Sequence, residues 1–510
     1  MRVAIIGGGP GGLVSLKSCV EKGIDATLFE KEKSIGGVWA PCVGKTWNTL
    51  HTNTSFFSSM FSDFPWPKET ELFPDQHAMY KYLNDYISHF KLGQYIKVSS
   101  GVNQVDRAND GKKWVLKWTD QQGTQVQDEF DYLIVATGVF SRPGKHDILG
   151  LDSFCSNGGQ VLNISDYRDA NLYRDKRVLV VGTSFSGAEA AGEIGVTSKY
   201  PVIQLINKPY YVMKKMTNGR PIDSYLFSRE ASDFVTKETD ITKVLETIHG
   251  FYGMLSGQNE NVESLVPDKS LPPYLTISNT YLDNIKNKNI DILLNKNCDG
   301  FDENGLLSFT NSAGQREKVK IDTIVFCDGY LCQVSFLPQE VKDKIRFVEQ
   351  DKFLPLLLHK CVFAQDIPNI FFIGMYKGPS YGSMELQARW VSMIIAGQVP
   401  YPSEAEIKEG ILEEEKIRQQ RPRPQIPHPH HIPYCDYIAR KMGVYPDETK
   451  LQEIYKTYPK LYKMLYNNLM NVACYRLWES IHIDPNSFDQ IPCASAVSIL
   501  ESIEDRIYKS

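Results

Sequence analysis

The stretch that decides the fold is Val3-Ala4-Ile5-Ile6-Gly7-Gly8-Gly9-Pro10-Gly11-Gly12, in which an apolar run leads directly into a glycine-rich turn. A short apolar run of this kind is typical of a buried parallel strand. The turn lets the backbone approach a pyrophosphate, whose charge then lies at the N-terminus of the next helix. The residues predicted to bind there are Gly7, Gly8, Gly9, Pro10, Gly11 and Gly12.

A second stretch of the same kind lies one domain further along the chain. Val178-Leu179-Val180-Val181 runs into Gly182-Thr183-Ser184-Phe185-Ser186-Gly187, again an apolar run before a tight turn. A lone glycine fingerprint is a weak signal, but two of them predict an α/β chain with two Rossmann-like dinucleotide-binding domains. The residues predicted to bind at the second turn are Gly182, Ser184, Ser186, Gly187, Ala188 and Glu189.

The residue that ends the second strand of each domain indicates which dinucleotide is bound. The first such strand ends in Glu30, whose carboxylate accepts hydrogen bonds from a ribose 2′-hydroxyl and repels a 2′-phosphate. The corresponding strand, 201–206, ends in Asn207 and Lys208, a neutral donor and a cation that suit a 2′-phosphate. We therefore predict FAD or NAD at the first turn and NADPH at the second. The alternative is that Glu30 and Lys208 are ordinary solvated strand-end charges.

The segment Ile35-Gly36-Gly37-Val38-Trp39, shortly after Glu30, favours FAD at the first turn. It resembles the flavin-lining loop of two-dinucleotide flavoproteins, which predicts cofactor contacts for Gly37, Val38 and Trp39. Standing alone, it would be interpreted as a turn with a core tryptophan. Two strand-ending segments, 133–138 and 324–330, look like the paired returns by which such chains pass between domains.

Composition and charge exclude several classes of protein. The chain has 510 residues, is 42% hydrophobic and 23% charged, and carries a net charge of −5, which argues against a nucleic-acid or anionic-membrane partner. Ten scattered cysteines predict reduced thiols, with Cys327 and Cys332 as two core residues. Neither a signal peptide nor an apolar stretch of about 18 residues is evident, so we expect a cytoplasmic protein without a transmembrane anchor.

Pattern changes along the chain divide it into three parts. Residues 1–167 are predicted to form the first nucleotide-binding domain with a crossover linker, and residues 168–336 the second domain. Within the second, 210–285 shows little strand pattern and predicts a helical insertion. Residues 337–510 are predicted to return to the first domain and to end in a C-terminal segment.

Two polar segments of the last part are interpreted as surface features. The mixed charges of 413–423 are typical of a solvated helix. His428-Pro429-His430-His431 predicts an extended surface connector, because prolines surround it and neither partner cysteines nor spaced carboxylates accompany it. No metal site is predicted.

Several further segments, in order, make the chain resemble the flavin-containing monooxygenases over nearly all of its length. Leu50–Ser55, followed by Phe61–Pro65, is similar to the family's active-site asparagine segment, and Met384–Trp390 is close to its C-terminal flavin-side helix. The resemblance implies that Asn53 is catalytic and holds the reacting oxygen by hydrogen bonds. The alternative is a turn-forming asparagine that caps the following helix. It also implies cofactor contacts for Thr52, Asn53, Thr54 and Gln387.

One match to the family is imperfect. The family fingerprint before the second turn has Phe, Gly, His and an aromatic residue at fixed spacing. Here Gly159 and Tyr167 are kept, Asn163 replaces the histidine, and Phe154 lies three residues too far upstream. Asparagine donates and accepts but does not titrate near neutral pH, so we expect weaker coupling of NADPH use to oxygenation.

The resemblance implies chemistry that belongs largely to the cofactors. NADPH reduces FAD, the reduced flavin takes up O2 as a C4a-hydroperoxide, and a soft nitrogen or sulfur centre of a small molecule removes the distal oxygen. This is the N,N-dimethylaniline monooxygenase type of reaction. The alternatives are a Baeyer–Villiger ketone oxygenase, a disulfide or quinone reductase, and a redox-idle flavoprotein that acts as a binding scaffold. The sequence is compatible with a homodimer but does not require one.

Overall fold

A five-stranded parallel sheet follows the first glycine turn. The computed structural model describes residues 1–108, 111–144, 148–236, 240–257, 262–311, 313–378, 380–445, 448–477 and 493–509. The strands of the first sheet, in spatial order, are Ile370–Phe372, Tyr132–Val135, Arg2–Ile6, Asp25–Phe29 and Ile96–Lys97. Its central strand is buried on both faces, because helices cover one side of the sheet and an antiparallel sheet that carries Trp114, Trp118 and Phe130 covers the other.

The helix Pro10–Glu21 begins directly after the first turn, with Pro10 at a position where its missing N–H costs no hydrogen bond. We call it the first-turn helix. It packs against the helix Ser380–Ile395, which we call the Gln387 helix. After residue 337 the chain contributes a strand to the first sheet, since Ile370–Phe372 is one of its edge strands.

A second parallel sheet follows the second turn. Its strands, in spatial order, are Ile290–Leu294, Val202–Ile206, Val178–Val181, Thr323–Phe326 and Gln160–Asn163. The helix Phe185–Thr197, which we call the second-turn helix, begins after Ser184 and packs against Tyr281–Lys286. Two sheets of the same parallel design confirm the predicted α/β class with two dinucleotide-binding domains.

The second domain begins earlier than the predicted boundary at residue 168. The strand Gln160–Asn163 lies in the segment assigned to the crossover, but it pairs in parallel with Thr323–Phe326. The helix Leu151–Ser156 also belongs there, because the ring of Phe154 packs 4.6 Å from that of Phe301. The strand Thr323–Phe326 would otherwise be a bare edge, and its backbone groups need partners.

Three small antiparallel sheets complete the two domains. One attached to the first domain and one to the second have three strands each, and a two-stranded ladder joins the two connections between the domains. This ladder pairs Tyr330, the last residue of the second predicted return, with Pro143, which lies five residues beyond the end of the first. The strands are Gly101–Arg107, Trp114–Thr119 and Gln125–Phe130; Cys298–Phe301, Leu306–Thr310 and Arg316–Lys320; and Arg142–Pro143 with Tyr330–Leu331.

The predicted insertion in the second domain is helical but also contains short strands. Its helices are Asp223–Leu226, Arg229–Thr236 and Ile241–Ser256. Tyr211–Met213 pairs with Leu275–Ile277, and Met216–Thr217 pairs with Arg220–Pro221. Strands of two or three residues are too short to show an alternating pattern in the sequence.

The last part of the chain is mainly helical and covers the first domain. Its helices are Gln339–Lys344, Ser380–Ile395, Glu404–Gln419, His431–Lys441, Glu448–Thr457, Pro459–Tyr466 and Ala494–Ile503. A further helix, Gln76–His89, packs into the same hydrophobic core as the helices of this last part. Within the described ranges, none of the helices combines the length and apolarity that crossing a membrane requires.

The prediction of a surface connector at His428–His431 is confirmed for Pro429 and His430, which are exposed and non-helical, and wrong for His428 and His431. His431 is 8% exposed and begins the helix His431–Lys441, and the side chain of His428 is largely buried. The prediction of two core thiols at Cys327 and Cys332 is confirmed, because both are buried and free. The burial of His428 and His431 comes from tertiary packing, because prolines predict an extended backbone but do not predict whether other segments cover it.

Candidate active site

Two positions of the first turn have room for glycine only. Gly7 has a φ of +112°, and a Cβ there would lie 2.5 Å from the carbonyl oxygen of Ala136. A Cβ on Gly12 would lie 1.8 Å from the carbonyl oxygen of Gly7. The bare backbone at the start of the first-turn helix therefore leaves space and N–H groups for a phosphate, as the sequence predicts.

Glu30 lies directly behind this turn. It is 7% exposed, and its carboxylate accepts hydrogen bonds from the backbone N–H of Gly8 at 2.6 Å and of Glu32 at 2.8 Å. A carboxylate has about four acceptor sites, so two remain for a ribose hydroxyl. The alternative of an ordinary solvated charge at Glu30 does not fit this burial.

The predicted flavin-lining loop covers the same turn. Gly36 N–H donates to the carbonyl of Gly8 at 2.8 Å, and a Cβ on Gly37 would lie 3.0 Å from Gly9. The short helix Gly37–Trp39 follows directly, so the structure brings Gly37, Val38 and Trp39 to the first turn. The three segments predicted to hold FAD are therefore adjacent.

The second turn repeats this construction. Gly182 has a φ of +138°, and a Cβ there would lie 2.4 Å from the carbonyl oxygen of Cys327. Ser184 precedes the second-turn helix and donates to that same carbonyl at 3.1 Å. Gly187 and Ala188 are buried in the first turn of the helix, and Ser186 is half-buried there. Glu189 follows Ala188 in this helix, and burial raises the pKa of its carboxyl group.

A buried glutamine that the sequence analysis did not select supports the second turn. Gln204, in the middle of the strand Val202–Ile206, is fully buried and donates to the carbonyl of Gly182 at 3.1 Å. The hydroxyl of Tyr210 lies 3.5 Å from its amide nitrogen and donates to Tyr281 at 2.7 Å. A glutamine inside an otherwise apolar strand is the signal that could have identified it.

Lys208 is held at the end of that strand by an aromatic ring. Its Nζ lies 3.3 Å from the centroid of the Tyr274 ring, and burial lowers its pKa. The neighbouring backbone N–H of Asn207 donates to Thr183 in the turn at 3.0 Å. A cation held on an aromatic ring in this way is not a freely solvated charge.

Asn53 does not cap the helix that follows it. Ser55 is the residue that precedes the short helix Phe56–Ser58. Within the part of the chain that the structure describes, the buried Oδ1 of Asn53 and Oγ1 of Thr52 have no hydrogen-bond partner. Buried polar atoms are normally paired, so these two acceptors are available to a bound group. Thr54 is half-buried beside them.

We define the segment Trp47–Ser58, which contains Asn53, as the Asn53 segment. Two carboxylates of the second domain hold it in place. Glu193, on the second-turn helix, accepts hydrogen bonds from Trp47 Nε1 at 3.0 Å and Thr49 Oγ1 at 2.8 Å. Its other oxygen accepts from the hydroxyl of Tyr167 at 2.9 Å. Glu193 therefore joins the Asn53 segment, the crossover and the second nucleotide site.

Asp223 holds the other end of the Asn53 segment. Its Oδ2 accepts from Ser55 N–H at 3.0 Å and from the hydroxyls of Ser55 and Ser58 at 2.7 Å each. Asp223 is fully buried, and burial raises the pKa of its carboxyl group. Glu193 and Asp223 were missed in the sequence because nothing in the local pattern marks a carboxylate as a distant anchor.

Both the oxygen and the nitrogen of the Gln387 side-chain amide form hydrogen bonds. It is fully buried, its Oε1 accepts from Gly374 N–H at 3.0 Å, and its Nε2 donates to Tyr434 at 2.6 Å. Gly374 follows the edge strand Ile370–Phe372, so Gln387 fixes the chain at the carboxyl end of the first sheet. Its contact with flavin stays a prediction.

The imperfect fingerprint is partly repaired by the fold. The ring of Phe154 lies so close to Gly159 that a Cβ there would be 2.3 Å from it, so the displaced phenylalanine still packs on the glycine. Tyr167 is fully buried and bonded to Glu193. Asn163 precedes the short helix Ile164–Asp166, and its N–H is 3.3 Å from Asp166.

The residues present fit two dinucleotides. Both turns have positions that a Cβ would fill, and the polar atoms of Thr52 and Asn53 are buried without described partners. Glu30 and Lys208 give the two sites opposite charge at equivalent strand ends. The fold and this arrangement define a two-dinucleotide flavoprotein of the α/β class.

A family model described as flavin-binding monooxygenase-like matches residues 1–482. The chain belongs to this family. It is therefore a flavin-dependent monooxygenase, an enzyme that uses FAD and NADPH and transfers oxygen from O2 to a small molecule. The family resemblance predicted from the sequence is confirmed.

Known relatives agree with this assignment. The dimethylaniline monooxygenase (N-oxide-forming) 2 of Mus musculus is 27% identical over 502 residues, which cover 93% of this chain and 88% of the relative. The S-allyl-L-cysteine S-oxygenase of Allium sativum has a TM-score of 0.62 at 20% identity, covering 99% and 98% of the chains. A closed cyclohexanone monooxygenase also scores 0.62, at 15% identity and with 86% and 96% coverage. These two structures share the fold, and they leave the substrate class open.

Replacing Lys208 by alanine is expected to raise KM for NADPH about 10-fold or more, while KM for NADH stays nearly unchanged. The reason is the loss of a charge-assisted contact to the 2′-phosphate, which is typically worth about 1.5–3 kcal/mol. Steady-state coenzyme oxidation measures both constants. Lys214→Ala is the matched control, because Lys214 lies six residues further on and pairs with Asp283 at 3.4 Å. Equal use of NADPH and NADH by the unmodified enzyme would contradict the assignment.

Proposed function

We propose that this monooxygenase transfers one oxygen atom to a soft nitrogen or sulfur nucleophile, such as a tertiary amine or a thioether. FAD binds at the first turn and NADPH at the second in this proposal, and reduced FAD activates O2. The observation that carries it is the set of neutral, buried acceptors that Asn53 and Thr52 offer without described partners.

Ketones and soft nitrogen or sulfur nucleophiles require oxygen in different protonation states. Attack on a ketone needs an anionic oxygen nucleophile, whereas transfer to a soft nucleophile needs an oxygen that still carries its proton. An amide oxygen is an acceptor and stabilises a protonated group. Asn53 would therefore accept a hydrogen bond from the group being transferred and hold that group in line with the substrate.

The fold around Asn53 supports this role. Glu193 and Asp223 anchor the Asn53 segment at both ends, so its backbone is fixed before substrate arrives. A preorganised group needs no reorganisation at the moment of reaction. Both oxygens of Glu193 and the Oδ2 of Asp223 accept hydrogen bonds and so act as anchors, and the polar group that Asn53 itself offers is its amide.

Product analysis tests the proposal. The enzyme is incubated with NADPH, O2 and equal concentrations of a tertiary amine, a thioether and a cyclic ketone in separate reactions. We expect N-oxide and sulfoxide, with a kcat/KM at least about 10-fold above that for the ketone, a ratio that corresponds to about 1.4 kcal/mol. Lactone as the main product, with neither N-oxide nor sulfoxide, would contradict the proposed substrate class.

Asn163→His is expected to raise the yield of product per NADPH, because it restores the histidine of the family fingerprint. Titration of hydrogen peroxide against NADPH consumed measures the change. Flavin content must match the parent enzyme, since a ring in a packed crossover can cost folding stability. An unchanged yield at full flavin content would show that Asn163 does not limit coupling.

A further inference from the structure

Three side chains distant in sequence meet outside the active site. Cys361, Glu414 and His428 each direct one ligand atom to a common point, and these atoms all lie within 4.8 Å of one another. His428 Nε2 is 2.8 Å from Glu414 Oε2 and 4.0 Å from Cys361 Sγ. The fold thus brings to His428 the cysteine and the carboxylate that the sequence around the histidine cluster does not provide.

The cluster is buried. Cys361 is 4% exposed and Glu414 is 7% exposed, although Glu414 belongs to a charged run that predicts a solvated helix. The side chain of His428 is 12% exposed. A carboxylate on the helix Glu404–Gln419 is therefore turned inward at this one position, where it meets the imidazole and the thiol.

The backbone that carries Cys361 adopts an unusual conformation. Lys360 and Cys361 are consecutive residues with φ of +51° and +55°, a region that side chains other than glycine seldom occupy. The loop is held there by Tyr434, whose hydroxyl donates to the carbonyl of Lys360 at 2.8 Å. Strain of this kind persists only where surrounding structure enforces it, and here it places the thiol beside His428.

The imidazole is also positioned by its surroundings. Tyr376 stacks on His428 with ring centroids 5.5 Å apart, and its hydroxyl donates to the carbonyl of His428 at 3.1 Å. The three ligands therefore come from three separately fixed segments: a strained loop, a helix and the connector that precedes His431–Lys441.

We propose that Cys361, Glu414 and His428 form a buried Zn²⁺ site with three protein ligands. Thiolate sulfur, imidazole nitrogen and carboxylate oxygen are the ligand types that Zn²⁺ prefers. In a tetrahedral site these atoms are about 3.4–3.6 Å apart, as follows from Zn–S of about 2.3 Å and Zn–N or Zn–O of about 2.0–2.2 Å. The observed pairs at 4.0 and 2.8 Å need adjustments of about half an ångström or more.

Binding of the metal would release the protons of the thiol and of the imidazole, and a water molecule would complete the four ligands. The ion would then cross-link residues 361, 414 and 428. Since Tyr434 also accepts a hydrogen bond from Gln387 at 2.6 Å, the cross-link would stabilise the surroundings of the Gln387 helix. The proposal does not depend on the substrate class proposed above.

The test uses the untagged full-length enzyme, stripped with a chelator and dialysed. It is incubated with Zn²⁺, passed through a desalting column and analysed by elemental mass spectrometry. We expect one Zn²⁺ per chain and a higher unfolding temperature than for the stripped enzyme. With Co²⁺ as the probe, a thiolate-to-metal absorption band should appear.

Cys361→Ser and His428→Gln should each weaken Zn²⁺ binding by at least the roughly 10- to 100-fold seen for residues that merely support a metal ligand. Cys435→Ser is the matched control, because Cys435 is equally buried and its Sγ lies 3.7 Å from His431, outside the cluster. It should keep the metal and the Co²⁺ band.

Two results would overturn the proposal. Absence of stoichiometric Zn²⁺ from the folded, flavin-containing parent enzyme would leave only an ion pair between His428 and Glu414. Equal Zn²⁺ binding by Cys361→Ser and the parent would place the metal elsewhere. Flavin content and circular dichroism check that each variant is folded, and the parent measurement alone decides the question if Cys361→Ser does not fold.

Discussion

Asn53→Ala should lower product formation about 100- to 1,000-fold while FAD stays bound and NADPH oxidation continues. Removal of one preorganised hydrogen bond to a reacting group costs this much in comparable enzymes, about 2.7–4 kcal/mol. The oxygen that no longer reaches substrate should leave as hydrogen peroxide. Parallel assays of N-oxide or sulfoxide, hydrogen peroxide and NADPH measure the partition.

Asn48→Ala is the matched control for this prediction. Asn48 lies in the same Asn53 segment, but its side chain is exposed and its described contact is a backbone hydrogen bond to Arg168. The control should keep its yield per NADPH. If Asn53→Ala also kept the parent yield, Asn53 would have no role in oxygen transfer, and the available acceptor at that position would need another explanation.

Asp223→Ala should destabilise the enzyme and uncouple it at the same time. Three donors, from Ser55 and Ser58, lose their acceptor, and each buried unpaired donor costs about 1–3 kcal/mol. Relief from burying a carboxylate, whose pKa is raised, offsets part of this cost. We expect a net loss of about 3 kcal/mol, seen as a lower unfolding temperature, together with a several-fold rise in hydrogen peroxide per NADPH.

The variant Asp223→Asn tests whether Asp223 acts through its hydrogen bonds or through its negative charge. Asp223→Asn keeps an acceptor oxygen and should retain more product yield than Asp223→Ala. Asp268→Ala is the control for loss of an aspartate, because Asp268 is exposed and the hydrogen bonds described for its carboxylate come from Ser270 in its own turn. Full coupling in Asp223→Ala would mean that the Asn53 segment keeps its position without this anchor.

Much of the fold could be predicted because its signals are local. An apolar strand, a glycine turn and a helix follow one another within about 20 residues in each domain, and sterics at Gly7, Gly12 and Gly182 admit no other residue type. Glu30 could be predicted for the same reason, since it ends the next strand of the same unit.

The misplaced boundary near residue 168 and the unpredicted strands of the insertion have a common cause. Gln160–Asn163 becomes a strand because Thr323–Phe326, far along the chain, offers it an edge. Tyr211–Met213 likewise depends on Leu275–Ile277. Pairing partners at such separations leave no periodic pattern in a segment of three or four residues.

By itself, the sequence determined the α/β class, the two nucleotide turns and the family, because each rests on residues that are neighbours in the chain. Tertiary structure alone decided which polar groups are paired. It placed Glu193 and Asp223 behind Asn53, stacked Lys208 on Tyr274, and turned Glu414 inward. The residue type gives the charge that a side chain can carry. Its partner and its burial depend on contacts between distant segments, and those contacts exist only once the chain has folded.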